Sequence, residues 1–373
     1  MIFVYHLGTA DADCLFRAVC RRERVVATRH ALDLVGFLLR RIVLARSEPF
    51  PVARVDLPRG YGRKFFPLVR GRLRAARRWC ESRASEKARV VVFTMPHLAP
   101  LAADCADAAR AYLVCDDFRG YGWGHDFVAR REQQMVDSVD HVFCVSRKLR
   151  DRFISDYGVA PGRCHVLPHA AVSGELLPEP LREPQPLPPE AGTLERPVAG
   201  MIGNTGSTDF GVMLDVARAL PWLHWLIVGP KHSCVTDARE TARQQFLALP
   251  NVRHVGARPH SRLYEFARSF DVGVTAYHGD GVAPFGSPVR LFIHMAATRP
   301  IVSLRGGCAQ CEDYARIQQM VDSPDGMIEA LSRLRDAGFE DGLERERWRL
   351  ARENTWEARA DTFLALMNRQ GAG

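Results

Sequence analysis

The sequence predicts an α/β protein of two doubly wound parallel-sheet domains, and three observations carry that expectation. Strand-like and helix-like segments alternate through the first half of the chain, a proline-rich stretch interrupts them, and the alternation restarts near residue 197. The strand-like runs are apolar throughout instead of at every second residue, as in strands covered by helices on both faces. At 373 residues the chain is long enough for two cores of ordinary size.

Each element has its own local reason. "MIFVYHLG" opens as a buried strand ending at Gly8, and "RVVVFTMP" (89–96) and "RAYLVCDD" (110–117) follow as strands. Between them, Phe65, Phe66, Val69, Leu73, Ala76 and Cys80 share one helical face, while Arg70, Arg72, Arg74, Arg77 and Arg78 cover the rest. Asp126 is placed to cap a helix from Phe127 to about Val139, "HVFCVS" (141–146) is a further strand, and Ser146 caps the helix toward Tyr157. Seven prolines between Glu175 and Pro197 mark an extended, semi-rigid linker. In the second half "PVAGMIGNTG" (197–206) is a strand running into a loop, Asp209 starts a helix to Leu220, and "LHWLIVGP" (223–230), "NVRHVG" (251–256) and "DVGVTAY" (271–277) are strands around a helix at 260–269. "GSPVRLFIHMAATRPIVSL" (286–304) then reads as loop, helix and strand: Leu291, Phe292, Met295 and Ala296 have helical spacing, and Pro300 closes the helix before Ile301 and Val302. The boundaries expected are 1–172, a linker at 173–197, 198–352, and a closing segment at 353–373.

Composition narrows the class. Apolar residues make up 47% and charged residues 25%, the balance of a globular protein in water. No uncharged apolar run reaches the length of a membrane helix, and the N-terminus lacks a signal-type core, so a cytoplasmic location with at most peripheral membrane contact is expected. Ten cysteines are scattered, and Cys308-Ala-Gln-Cys311 has neither a second pair nor a zinc-spaced His, which favours reduced thiols. The net charge of +8 is uneven: residues 1–172 hold 29 Lys/Arg against 18 Asp/Glu, and residues 40–90 alone hold 15 against 4. Nucleic acid, an anionic membrane surface or a phosphate-bearing substrate could each answer to such a patch. Against nucleic acid, the stretch lacks repeated aromatics for base stacking, and no DNA-reading motif is present. GxGxxG is absent, so there is no dinucleotide fingerprint.

Arg290 raises the sharpest chemical question. It falls in the first turn of a helix, where free N–H groups already favour negative charge, so a cation there does nothing for the helix dipole. Ser287, Pro288, Val289 and Arg290 together look like a site for an anion, the alternative being an Arg paired with a surface carboxylate.

The order of "VAGMIGNTGSTDFGVMLDVARALPWLHWLIVGP", "LPNVRHVGARPHSRLYEFARSFDVGVTAY" and "SPVRLFIHMAATRPIVS" resembles the nucleotide-sugar domain of GT-B glycosyltransferases. "AYLVCDDF", "REQQMVDSVDHVFCVSRKLRDRF" and "CHVLPHAAV" resemble the acceptor domain of a bacterial subset that includes teichuronic acid glycosyltransferases and the xanthan glucuronosyltransferase. "ENTWEARADTFLALM" is similar to the closing helix that crosses back to the first domain in that family. The resemblance covers most of residues 90–367; residues 9–88 match poorly. It implies a GT-B fold of two Rossmann-like domains facing across a cleft, and transfer of a sugar from a nucleoside-diphosphate sugar to a glycan acceptor, lipid-linked in bacterial surface polysaccharide synthesis.

The same resemblance puts the donor's diphosphate at Arg290. A guanidinium and helix N–H groups stabilise charge developing on a leaving diphosphate, without need of a metal ion or other cofactor, and no Asp-x-Asp occurs in the second domain. Family members that transfer with retention often carry Glu-x7-Glu here; these positions are Phe285 and Ile293, which moves the expectation toward inversion. Gly203, Asn204, Thr205 and Gly206 form a strand-to-helix loop able to bring N–H groups near phosphate, or a turn required by geometry alone. Lys231 could add a second cation or be a plain loop lysine. His254 and Gly256 lie where the family holds the nucleobase, and Tyr277 could contact the nucleotide or serve packing.

For the acceptor side, Asp116 and Asp117 end a strand whose carboxyl end should open on the cleft. The resemblance aligns Asp116 with the first residue of a paired-acid strand end. An inverting transfer needs a base there, Asp116 ahead of Asp117; both could also be loop aspartates capping N–H groups. His97 and His125 are further candidates at strand ends. The arginines at 70, 74, 77 and 78 suit an anionic membrane surface or a core-packed helix with a solvated face. A nucleotide-sugar epimerase, which shares this architecture, is the competing enzyme class.

Overall fold

The structure, a computed structural model, describes residues 1–39, 42–45, 49–63, 66–230 and 236–368. It divides into two compact units, one of residues 1–168 with 356–373, the other of residues 169–355.

Unit one holds an eight-stranded sheet ordered β3-β4-β2-β1-β5-β6-β7-β8. The strands are β1 (Ile2–Tyr5), β2 (Val25–Leu32), β3 (Ile42–Ala45), β4 (Val52–Leu57), β5 (Val90–Phe93), β6 (Ala109–Val114), β7 (His141–Cys144) and β8 (Cys164–Val166). All neighbours are parallel except β3 and β4. The runs read as doubly covered strands are buried at every position of β1, β5 and β7, which is the expected α/β architecture. β2, β3 and β4 fall in the stretch to which the sequence reading assigned no strand. Their polar and exposed residues explain this: Arg29, Leu32 and Val43 face solvent, so the apolar run that marks a central strand is missing.

The Phe66–Ala84 helix buries Phe66, Val69, Leu73, Ala76 and Cys80; Phe65 lies outside the described residues. Its arginines are drawn into the unit: Arg70 grips Asp104 through two bonds of 2.7 Å, Arg74 lies 3.9 Å from the same carboxylate, and buried Arg77 bonds Asp107 at 2.9 Å and Glu81 at 2.8 Å. The apolar face that a membrane-inserting helix would need is therefore packed inside the unit. On this helix Leu68 stays exposed, and the other exposed large apolar side chains of the unit are Leu32, Leu34, Val35, Leu38, Leu39, Val43 and Trp123. Arg74 and Arg78 stay exposed. The helix His125–Val136 has Gly124 as its N-cap at φ 88°, so Asp126 sits in the first turn and does not cap it. Ser146 does cap its helix, accepting from the Leu149 N–H at 3.1 Å. The last helix, Trp356–Asn368, packs Phe363 against Phe16 and Phe143 at centroid distances of 5.9 and 5.1 Å.

Unit two holds a wholly parallel six-stranded sheet ordered β11-β10-β9-β12-β13-β14. Its strands are β9 (Val198–Ile202), β10 (His224–Val228), β11 (Val252–Gly256), β12 (Val272–Thr275), β13 (Ile301–Leu304) and β14 (Gln319–Val321). Separate buried clusters on the two faces, one around Leu291 and Phe292, the other around Trp225 and Phe246, make the sheet doubly wound. The proline-rich segment lies along this unit. Leu176, Leu187 and Leu194 pack on the first cluster, and the N–H groups of Leu181 and Gln185 bond Thr298 Oγ1 and the Arg268 carbonyl at 3.0 and 2.8 Å. Leucines interleaved with the prolines supply the burial that fastens it. Among the described residues no helix is long and apolar enough to cross a membrane.

Candidate functional site

The carboxyl ends of β9, β10 and β12 and the start of the Val289–Ala297 helix assemble one polar corner in unit two. β9 is followed by Gly203 at φ 96°, a value few side chains tolerate. Its N–H bonds the Val228 carbonyl at 2.8 Å, and a Cβ added at Gly229 would lie 2.0 Å from the Gly203 carbonyl oxygen. Glycine is thus required at 203 by its φ and at 229 by the close approach of the two backbones. Asn204 closes the turn, its Oδ1 accepting from the Gly206 N–H at 2.8 Å, and Thr205 Oγ1 bonds the Pro230 carbonyl at 3.3 Å.

Arg290 reaches into this turn. Its Nη2 donates to the Asn204 carbonyl, and its guanidinium lies 4.9 Å over the centre of the Tyr277 ring. The residue is 6% exposed, and Nη1 is buried with no hydrogen-bond partner among the described residues. A buried guanidinium nitrogen left open is costly. The helix beginning at Val289 has Pro288 at its N-cap and no side-chain cap, so no side chain competes for its first N–H groups. Tyr277 is buried, which pushes its phenol well above the usual range. Nearby His294 is driven down to about 3 by burial and by the Arg290 charge.

Ser287 is fixed by a residue the sequence reading passed over. His169 donates its backbone N–H to Ser287 Oγ at 3.1 Å, and its Nδ1 contacts the Ser287 carbonyl. Both groups are 118 positions apart in the chain, so no local pattern could have paired them. Cys308 Sγ meets the Gly286 carbonyl at 3.6 Å and holds the same segment from the other side. His254 uses Nε2 on the Gly229 carbonyl at 2.8 Å, and Gly256 has φ 75°, its carbonyl accepting from the Gly229 N–H at 3.0 Å. The two residues therefore shape the end of β11 and brace the β10 loop. Lys231 lies outside the described residues. Ile293 is in the core and Phe285 ends a short 3-10 turn, so neither position offers a carboxylate.

In unit one the two candidate aspartates part company. Asp117 is 3% exposed and gripped by Arg152 at 2.8 and 2.5 Å, and it also accepts from the Arg119 N–H at 3.1 Å. Its carboxylate is committed to holding the loop, which leaves it poorly suited to take a proton. Asp116 is half-buried; Tyr121 donates to its Oδ2 at 2.7 Å and the Asp117 N–H to its Oδ1 at 2.8 Å. His97 bonds the Tyr61 hydroxyl through Nε2 at 3.0 Å, and burial drives it down to about 3. His125 is largely in solvent beside Asp126 and touches none of these groups. Among the described residues no three His, Cys, Asp or Glu side chains converge as a metal site would require.

No family model matches the chain, and no curated protein sequence does. Solved structures do. Anabaena HepE, in complex with UDP and glucose, superposes with a TM-score of 0.71 at 13% identity over 100% of this chain and 99% of its own. Sucrose-phosphate synthase from Thermosynechococcus elongatus gives the same TM-score, identity and coverages. A trehalose-6-phosphate synthase, described as an enzyme of glycosyl transfer with retention, gives 0.63 at 12% over 99% of each chain. At these identities the likeness establishes the fold: the chain has the two-domain α/β fold of GT-B glycosyltransferases.

Proposed function

We propose that the protein is a glycosyltransferase that takes its sugar from a nucleoside-diphosphate donor and delivers it to a glycan hydroxyl. The observation that carries this is the open Nη1 of buried Arg290, set at an uncapped helix start beside the Gly203–Asn204 turn. A cation with one open nitrogen, beside an uncapped helix start, suits a dianionic leaving group, because both gain from the charge that grows as the bond breaks. Support also comes from the shared fold, one member of which holds UDP and glucose.

In the reaction, an acceptor hydroxyl attacks the anomeric carbon and the new glycosidic bond forms. The bond from that carbon to the diphosphate oxygen breaks, its electron pair staying with the diphosphate that Arg290 receives. The hydroxyl proton passes to Asp116. The charge is met by Arg290 and the helix N–H groups, so no metal ion or other cofactor is invoked. We favour inversion because neither Phe285 nor Ile293 can supply a carboxylate, although one protein of this fold transfers with retention.

The acceptor we favour is lipid-linked, in surface polysaccharide assembly on the inner face of a membrane. The exposed leucines at 34, 38 and 39, followed in the chain by Arg40 and Arg41, suit an anionic bilayer better than the arginine helix does, whose apolar face is spent on the core. The test is incubation with a panel of nucleotide sugars and glycan acceptors, free or carried in neutral and anionic vesicles. Acceptor-dependent release of nucleoside diphosphate is expected, greatest on anionic vesicles, with the anomer read by NMR. Conversion of the nucleotide sugar to an isomer without acceptor would establish the epimerase instead.

A further inference from the structure

A continuous row of rings lines the carboxyl-end edge of the unit-one sheet, and the proposed transfer chemistry uses only its last neighbour, Asp116. His30, near the end of β2, meets Tyr61 edge-on at 5.6 Å; Tyr61 meets His97 at 5.2 Å; His97 meets Trp123 at 6.2 Å; Trp123 meets Tyr121 at 5.1 Å. Tyr121 in turn bonds Asp116 at 2.7 Å. The Trp123 indole is backed by Phe118, nearly parallel at 12° and 5.7 Å, yet it keeps 37% of its surface open. Among the described residues it is the one aromatic side chain in the set of exposed large apolar groups.

We propose that this row is the acceptor subsite, with a pyranose ring of the acceptor lying on Trp123 and its hydroxyls meeting Asp116 and the Tyr61–His97 pair. The inference rests on the glycosyltransferase reading and names the substrate class of its second site. A pyranose presents an apolar C–H face rimmed by hydroxyls, and the row presents the complement. An open aromatic face, already ordered by its backing ring, takes the apolar side at little entropic cost. The polar atoms beside it can both give and take hydrogen bonds: the Tyr61 hydroxyl stands between His30 Nδ1 at 2.8 Å and His97 Nε2 at 3.0 Å. Burial keeps His97 and His6 neutral, driving them down to about 3 and about 4, so these imidazoles offer no charge to attract phosphate. The row also follows the ends of β2, β4, β5 and β6, the edge where parallel sheets bind ligands.

The test uses the full-length protein with methyl glucoside, methyl galactoside, methyl mannoside and cellobiose as probes, followed by saturation-transfer NMR and tryptophan fluorescence, with UDP and GDP titrated in parallel. At least one sugar is expected to bind. Trp123→Ala should weaken that binding tenfold or more, Trp123→Phe less than threefold, and neither should move nucleoside diphosphate affinity more than twofold. Tyr61→Phe, which keeps the ring and removes the bridging hydroxyl, should weaken sugar binding severalfold and serves if Trp123→Ala does not fold. Absence of sugar binding to the unaltered protein, or unchanged binding in folded Trp123→Ala, overturns the proposal. Loss of diphosphate binding in the unaltered protein would instead count against the donor assignment.

Discussion

The same edge of a parallel sheet carries opposite chemistry in the two units. In unit two the strand ends are closed by glycines, backbone donors and one buried guanidinium with an open nitrogen. In unit one they are closed by neutral imidazoles, phenols, an indole and a half-buried carboxylate. The fold delivers both sets to equivalent places, and the loop residues alone decide whether an anion or a hydroxyl is welcome. The two edges also differ in how completely they satisfy themselves. Asp117 in unit one has found its cation in Arg152, whereas Arg290 in unit two has no carboxylate partner among the described residues. A charge fully paired within the chain stabilises a loop; a charge left half-paired is available to a ligand.

The largest expected effect separates the two aspartates. Asp116→Asn should lower acceptor-dependent turnover by about 100- to 10,000-fold while leaving donor affinity within about threefold, since a general base matters in the transition state. Asp117→Asn should act chiefly on stability, because it leaves the Arg152 charge poorly paired. Steady-state rates beside thermal melts of both variants decide this, and near-normal turnover of Asp116→Asn moves the base elsewhere.

Next in size is the donor cation. Arg290→Ala should weaken nucleoside diphosphate binding by about 30- to 1,000-fold, or about 2–4 kcal/mol, in a protein that still folds. Calorimetric titration reads it directly; an unchanged affinity would place the anion site elsewhere and erase the contrast between the two units.

The smallest effect concerns pH. His6 and His97 have folded pKa values of about 4 and about 3, below the ordinary 6.5, so the unfolded chain takes up protons that the folded one refuses. Their contribution is whole above pH 6.5 and is lost as the pH falls toward those values, at about 1.4 kcal/mol per pH unit for each. Glu132 works in the other sense: burial raises it to about 7, so its protonated form favours folding and that part fades between about pH 4.5 and 7. In unit two His294 carries the histidine effect, at about 3. His30, His141 and His165 of unit one are lowered by burial as well, so between pH 6.5 and 5 five histidines against one Glu should make unit one the more acid-sensitive. Hydrogen exchange, compared for peptides of residues 1–168 and 169–355 after equilibration at pH 7 and pH 5, should show more opening in the first set. Equal opening would mean the neutral histidines cost unit one nothing.

What the sequence determined by itself was local. Ser146 and Asp209 cap their helices because a side-chain oxygen bonds N–H groups two or three residues on, within reach of any pattern read along the chain. Apolar runs disclosed the central strands, and periodicity disclosed the helix that carries Arg290, since each reports burial on a fixed geometric repeat. Gly124 took the cap expected of Asp126 because the backbone there turns through positive φ, which sequence spacing does not reveal. Tertiary structure decided everything that depends on a distant partner. Arg77 reads as a surface cation until Asp107 meets it, Asp117 reads as a possible base until Arg152 takes it, and Ser287 reads as a loop serine until His169 bonds it. A charge or hydroxyl acquires its role from whichever group completes its hydrogen bonds, and that group is chosen by the packing of elements tens of residues apart.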